Sequence, residues 1–282
     1  MKISKNKLNV VLDIGKTNVK LIFLKNDKIV KEYKTKQQNG SYRNSIKTLK
    51  SGKIIIWLIE KLKKESKKNI LENFVCTTHG CSLAFIGFDN KELIACTDYE
   101  YSFDKYKKEF LKVEPKFSTS FTPLLEGGLN TGLQIFYLSK KFPNVLKKTK
   151  YILSYPQYVA WKLSKTYSTE ITYVGCHSYL WDFNKNKYSQ LTKKLSVEKK
   201  FPPIKKAWDI IGDLKINNKK INILNGVHDS NASYLYFLKS NLKNFTLVST
   251  GTWYITLNQQ TNIKKLKPNY DMLCGINVFG KS

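Results

Sequence analysis

Arginine is nearly missing from this chain. Arg43 is the sole one among 49 lysines and arginines in 282 residues. A formal net charge of +28 would otherwise point to a nucleic-acid binder. Arginine, however, is the usual side chain for base edges and bidentate phosphate contacts, and the lysines here are spread along the chain. The pattern fits a solvated lysine surface that holds polyanions nonspecifically at low salt. No specific nucleic-acid partner is expected, and a basic nucleic-acid-associated protein remains only as an alternative class. Long apolar runs are absent too. No stretch of about 18 apolar residues, the length a spanning helix needs, occurs, so no membrane partner is expected. The first apolar stretch is broken by Asp13 and Lys16, which makes a poor signal peptide. The five cysteines (Cys76, Cys81, Cys96, Cys176, Cys274) are odd in number and form no CxxC pair. That implies reduced thiols in a cytoplasmic chain, not a disulfide framework or a zinc site.

What is present starts with "LDIGKT", residues 12–17. Gly15-Lys16-Thr17 are the closing letters of a P-loop, but the glycine that pattern requires five positions earlier is Val10. The apolar run Val19–Leu24 that follows reads as a strand, where a P-loop leads into a helix. The element is therefore strand, tight turn, strand, with Asp13 near the end of the first strand. Such a turn can form an anion-binding nest, and a carboxylate beside it can hold hydrated magnesium. An ordinary glycine hairpin is the other reading.

Further along, the sequence predicts a strand over 28–34 and an amphipathic helix over 54–68, with Ile54, Ile55, Leu58, Ile59 and Leu62 at helical spacing. A short strand is expected at 73–77 and a hairpin over 82–96 around Asp89-Asn90. Helices are expected at 129–141 and 155–165, a loop and edge at 167–174, and a lysine-rich helix with a connector over 183–201. A buried strand at 221–224 ends at Asn225-Gly226 and leads into a helix over 229–240. Then "NFTLVSTGTWYITLN" repeats the opening pattern: strand at 245–248, turn at 249–252, strand at 253–257. Asp229, at a strand-to-helix junction, suits a helix cap.

The ordered set "DIGKTNVK", "THG" at 78–80, "GVHD" at 226–229 and "STGTW" at 249–253 resembles the FGGY carbohydrate kinases, closest in look to L-fuculokinase and L-rhamnulokinase. The likeness implies an α/β, actin-like ATPase fold built of two ribonuclease-H-like domains. It implies a sugar-side domain over 1–240 and the start of a nucleotide-binding domain over 241–282. It also implies ATP-dependent phosphorylation of a sugar hydroxyl, with ATP and Mg2+ as cofactors and a small sugar as partner. By that resemblance Asp229 is the catalytic base and Asp13 holds magnesium through water. Gly15, Lys16, Thr17, Asn18 and Lys20 line the phosphates with Thr250, Gly251 and Thr252, while Trp253 packs beneath the second turn. Lys16, where relatives often carry Thr or Ala, has solvent as its other destination. His79, Gly80, Asp98, Gln157, His177 and His228 are the sugar-side candidates, with a structural histidine as the alternative for His79. Asp98 lies in Thr97-Asp98-Tyr99, a departure from the family's usual wording.

Family members run much longer than this chain. The resemblance therefore implies a fragment that binds sugar but lacks activity alone, or a chain that a homodimer partner or a separate C-terminal chain completes. The strands over 245–280 would then expose unpaired edges and apolar side chains.

Overall fold

The computed structural model describes residues 7–38, 40–43, 45–250 and 253–282. Its strands, in chain order, are β1 (Lys7–Ile14), β2 (Asn18–Lys25), β3 (Lys28–Lys36), β4 (Ser41–Arg43), β5 (Ile46–Thr48), β6 (Ile70–Thr78), β7 (Leu83–Gly87) and β8 (Glu92–Ile94). They continue with β9 (Thr149–Ser154), β10 (Trp181–Asp182), β11 (Lys187–Tyr188), β12 (Ile210–Ile216), β13 (Lys219–Leu224), β14 (Val227–His228), β15 (Leu247–Thr250) and β16 (Tyr254–Leu257).

The main sheet runs β12-β13-β6-β1-β2-β3, with β14 also paired to β6. β1, β2 and β3 form an antiparallel meander, whereas β6 is parallel to β1, and β13 and β14 are parallel to β6. In β1 the alternation demanded by a two-faced strand is strict: Leu8, Val10, Leu12 and Ile14 are buried. These side chains meet Leu58 and Leu62 of the helix Ser51–Lys68 and Tyr158 and Leu163 of the helix Tyr155–Ser164 in one core. A second core, with Phe85, Phe103, Phe110, Leu133 and Tyr137, lies around the β8-β7-β9 sheet and the helix Thr131–Lys141.

The long periodic elements fall where the sequence places them, and several details differ. β6 is nine residues long rather than five, because parallel pairing with β1 extends from Lys7↔Ile70 to Ile14↔Thr78. β12 and β9 were not anticipated; each is an edge strand defined by its partner, β13 and β7 respectively. The expected loop at 167–174 contains a helical turn, Ile171–Val174, started by the Glu170 side chain accepting from the Thr172 N–H at 3.0 Å. Over 183–201 only Gln190–Lys194 is α-helical, beside a short hairpin strand and a 3-10 turn.

The second hairpin forms where the sequence places it and stands apart from the main sheet. β15 and β16 pair with each other in a separate two-stranded sheet. Val248, Trp253, Tyr254 and Ile255 on it are exposed.

Candidate active site

Three parallel strands deliver the site. Asp13 of β1 pairs in register with Thr77 of β6, and Thr77 with Val227 of β14; one step on, Ile14, Thr78 and His228 form the next row. The chain leaves each strand at this edge, so Asp13, His79 and Asp229 collect at the carboxyl end of the sheet, the usual place for a ligand crevice in α/β folds.

Gly226 makes this possible. β13 and β14 pair with the same side of β6 but are separated by Asn225-Gly226. Gly226 takes φ +85° and approaches β6 so closely that a Cβ would stand 2.6 Å from the Cys76 carbonyl oxygen. Only glycine adopts this conformation and approach without strain. Buried Asn225 fixes the kink: its Nδ2 donates to the Thr169 and Lys205 carbonyls, and its Oδ1 accepts from Ser168 Oγ at 2.6 Å.

Asp229 then opens the helix Asp229–Lys239, with His228 as the N-cap residue. Its Oδ1 accepts from the Ser230 N–H at 2.6 Å and from Ser230 Oγ at 3.3 Å. The side chain is 37% exposed. Burial raises its pKa, opposed first by the Ser230 N–H. Asp13 is also raised, by burial first, with Lys20 opposing and the charge of Asp229 adding to it. The charge of Asp229 therefore reaches Asp13 at this sheet edge.

His79 is 6% exposed and packs edge-on against Tyr99 and Tyr155. Its Nδ1 lies 2.9 Å from the Gly80 carbonyl oxygen, so Nδ1–H donates and Nε2 carries the lone pair. Burial lowers its pKa and keeps it neutral. His79 Nε2, Thr77 Oγ1 and His228 Nδ1 are all buried without a hydrogen-bond partner. Orphaned buried polar atoms are rare in folded proteins and are expected where a ligand completes them.

The remaining candidates sort clearly. Lys16 does not point to solvent. Its ammonium group lies 2.5 Å from Asp98 Oδ1 and 3.2 Å from Glu100 Oε2, and 4.5 Å from the centre of the Tyr99 ring. Asp98 is engaged on its other oxygen by Lys47 at 3.1 Å. Burial works to raise the Asp98 pKa; Lys16, the Glu100 N–H and Lys47 outweigh it and hold the carboxyl below its usual range. Asp98 thus spends its carboxylate on two lysines. Gln157 is fully buried; its Nε2 donates to the Asn225 carbonyl at 2.9 Å and its Oε1 accepts from Ser154. It ties a helix to the kink and presents no surface to a sugar, a correction to its expected role. In the first turn the Gly15 N–H is turned inward, donating to the Asn18 carbonyl at 2.9 Å. Thr17 and Asn18 are exposed, and Lys20 is half-buried near Asp13.

His177 donates from Nδ1 to the Leu129 carbonyl at 2.8 Å and touches the Cys81 sulfur at 3.3 Å. Its ring is 6.2 Å from that of His228. Gly80 lies against both: a Cβ there would meet His228 Nε2 at 2.5 Å. Thr250 ends β15 and is exposed; Gly251 and Thr252 lie outside the described residues. Trp253 does not pack beneath the turn. It is 52% exposed.

Sequence reasoning missed Lys47, Tyr99, Cys81, Cys176 and Glu170. Glu170 alone carries a local signal, a carboxylate two residues ahead of a helical N–H. The others come together only through tertiary contacts.

Comparison with known proteins adds to this geometry. Residues 242–282 match the family model described as carbohydrate kinase FGGY, C-terminal domain. The fold is similar over 96% of the chain to a carbohydrate kinase from Novosphingobium aromaticivorans, with 26% identity and a TM-score of 0.87; the chain spans 62% of that structure. Ligand-bound xylulose kinase from Lactobacillus acidophilus matches 79% of the chain and 48% of its own length at 15% identity and TM-score 0.67. Plasmodium falciparum glycerol kinase with ADP matches 82% of the chain and 50% of its own length at 16% identity and TM-score 0.67. No curated protein sequence matches significantly. The architecture is the α/β actin-like ATPase fold of these kinase structures.

Proposed function

We propose that the chain belongs with the FGGY carbohydrate kinases and contributes the sugar-side half of an active site that transfers the γ-phosphoryl group of ATP to a sugar hydroxyl. The observation that carries this is the meeting of Asp13, Asp229 and the orphaned His79 Nε2 at one sheet edge. Phosphoryl transfer asks little covalent chemistry of a protein; it asks for positioning and charge stabilisation.

Asp229 is the base. Ser230 occupies Oδ1, so the substrate proton is taken at Oδ2. Burial raises its pKa, which makes it a stronger base than a solvated aspartate. His79 accepts a hydrogen bond from a sugar hydroxyl at Nε2 and holds the sugar in line. Asp13, a hard oxygen donor beside Lys20, fits a hydrated magnesium ion, which when bound neutralises phosphate charge. Thr17 and Asn18 meet the phosphates from the first turn, and Thr250, Gly251 and Thr252 from the second. Residues 1–240 form the sugar-side unit and 241–282 open the nucleotide side. The substrate class is a ketose or deoxyketose such as L-fuculose or L-rhamnulose, as the wording of the two phosphate turns suggests.

The test is calorimetry with a panel of ketoses and polyols, coupled to ADP release from Mg-ATP. One sugar should bind and be phosphorylated. In the assembly that turns over, Asp229→Asn should cost about 10²–10⁴-fold in kcat with sugar affinity kept. Absence of both binding and turnover across the panel, or an unchanged kcat in Asp229→Asn, would sink the proposal.

A further inference from the structure

Beside Asp229 stands a cluster that phosphoryl transfer does not use. Cys176, His177 and His228 each offer one ligand atom, and these atoms all lie within 4.8 Å of one another. We propose that Cys176, His177 and His228 form a binding site for a zinc-class transition-metal ion.

The geometry favours coordination over packing. His228 is 95% buried, being 5% exposed, and its Nδ1 has no hydrogen-bond partner. His177 donates from Nδ1 to the Leu129 carbonyl, so Nε2 is the nitrogen this ring would turn to a metal. A backbone carbonyl on the distal nitrogen is the usual support of a metal-bound imidazole, fixing its tautomer and orientation. His177 is held at φ +35° and Cys81, against its ring, at φ +65°. Non-glycine residues in this region are uncommon and cluster at functional sites. The 175–177 segment is pinned from outside: Cys176 bridges Gly275, the Ile276 N–H donates to the Gly175 carbonyl, and Asn130 Nδ2 donates to the His177 carbonyl. Cys176 and His177 are partly accessible, which supplies an entry path.

The donor set selects the ion. One thiolate and two imidazoles are borderline-soft and suit zinc, whereas magnesium takes oxygen ligands. Closing onto zinc bonds of about 2.0–2.3 Å asks the three groups to move inward by under roughly 1 Å. Binding releases the Cys176 thiol proton to solvent. Three protein ligands leave a fourth position for water. Asp229 Oδ1 is 3.7 Å from His228 Nδ1. On the kinase reading, an ion here sits against the base and opposes proton uptake by it, so the site would inhibit phosphorylation.

Binding is tested without any kinase assay. The reduced, metal-free chain is titrated with cobalt(II), then zinc(II). One cobalt per chain should bind with the visible bands of a tetrahedral site and a thiolate charge-transfer band, and zinc should abolish both. Cys176→Ser should lose the charge-transfer band, and Cys176→Ser and His228→Gln should each weaken zinc at least tenfold, with the fold checked by circular dichroism. Cys96→Ser, in the main core, should keep the spectrum. Zinc-edge absorption on the unaltered chain needs no variant and should fit one sulfur at about 2.3 Å and two imidazoles at about 2.0 Å. An all-oxygen shell, no charge-transfer band in the folded chain, or an unchanged band in Cys176→Ser would overturn the proposal. Loss of the kinase reading alone would leave metal binding intact, and loss of metal binding would leave phosphoryl transfer intact.

Discussion

Replacing Gly226 by alanine should disturb stability and site together. At φ +85° an L-residue costs about 1–2 kcal/mol. The new Cβ would also stand 2.6 Å from the Cys76 carbonyl oxygen and 3.1 Å from Pro156 Cβ. The first contact is with backbone of the central strand β6, so the strand or the kink must move. Overpacking of this kind costs about 1–3 kcal/mol. The sum, about 2–5 kcal/mol, corresponds to a fall in Tm of roughly 4–10 °C for a chain of this size. Gly52 is the control. It lies in the helix Ser51–Lys68, where a Cβ meets nothing within 4 Å. Gly52→Ala should therefore raise Tm slightly, through a helix gain of about 0.5 kcal/mol. Scanning calorimetry of the two variants reads opposite signs. Sugar affinity should also drop in Gly226→Ala, because Asp229 is three residues on. A Tm within about 1 °C of the parent in Gly226→Ala would refute the claim that close approach at Gly226 sets the strand ends.

Three further outcomes are expected. Glu170 is fully buried, and burial, opposed by Thr172, pushes its pKa up from 4.5 to about 7. The folded state thus holds a proton that the unfolded chain has lost; stability falls as pH rises from 4.5 to about 7 and stays reduced above. Glu170→Gln should gain on the order of 3 kcal/mol at pH 8 and nothing near pH 4.5, read from Tm against pH; a gain independent of pH would exclude the charge as its cause. Lys16→Met should destabilise by about 1–3 kcal/mol, and a double-mutant cycle with Asp98→Asn should show coupling of about 1 kcal/mol or more; simple additivity would mean solvent screens the pair. His79→Ala should raise the sugar Kd well above any change for ATP in calorimetry, and equal losses would point to a damaged fold.

The regular parts of this fold are legible because local pattern and tertiary need agree. The alternation in β1 and the helical spacing of Ile54, Ile55, Leu58 and Leu62 each name one buried face. Asp13, Asp229 and His79 were singled out because each sits beside a short motif at a strand end. Gln157 misled because a glutamine near motif-rich sequence looks the same whether its amide faces a sugar or the Asn225 carbonyl. Lys16 misled for the converse reason: its partners, Asp98 and Glu100, lie more than 80 residues away, and no spacing rule connects them. The Cys176–His177–His228 cluster is likewise assembled from two separate segments, so a search for CxxC pairs passes over it.

The main sheet also has a history during synthesis. β6 pairs on one side with β1, made some sixty residues earlier, and on the other with β13 and β14, made about 150 residues later. As the chain emerges, β1, β2, β3, β6 and the helix Ser51–Lys68 can associate first, because their contacts are close in sequence. From then until Lys219 appears, the backbone of β6 presents an open row of hydrogen-bonding groups, flanked by Phe74 and Cys76. An unpaired strand edge of this kind is a template for pairing with the wrong chain. Slow elongation through residues 79–218 would lengthen that exposure, and the yield of folded protein should depend on translation rate and chaperone supply more steeply than its final stability suggests.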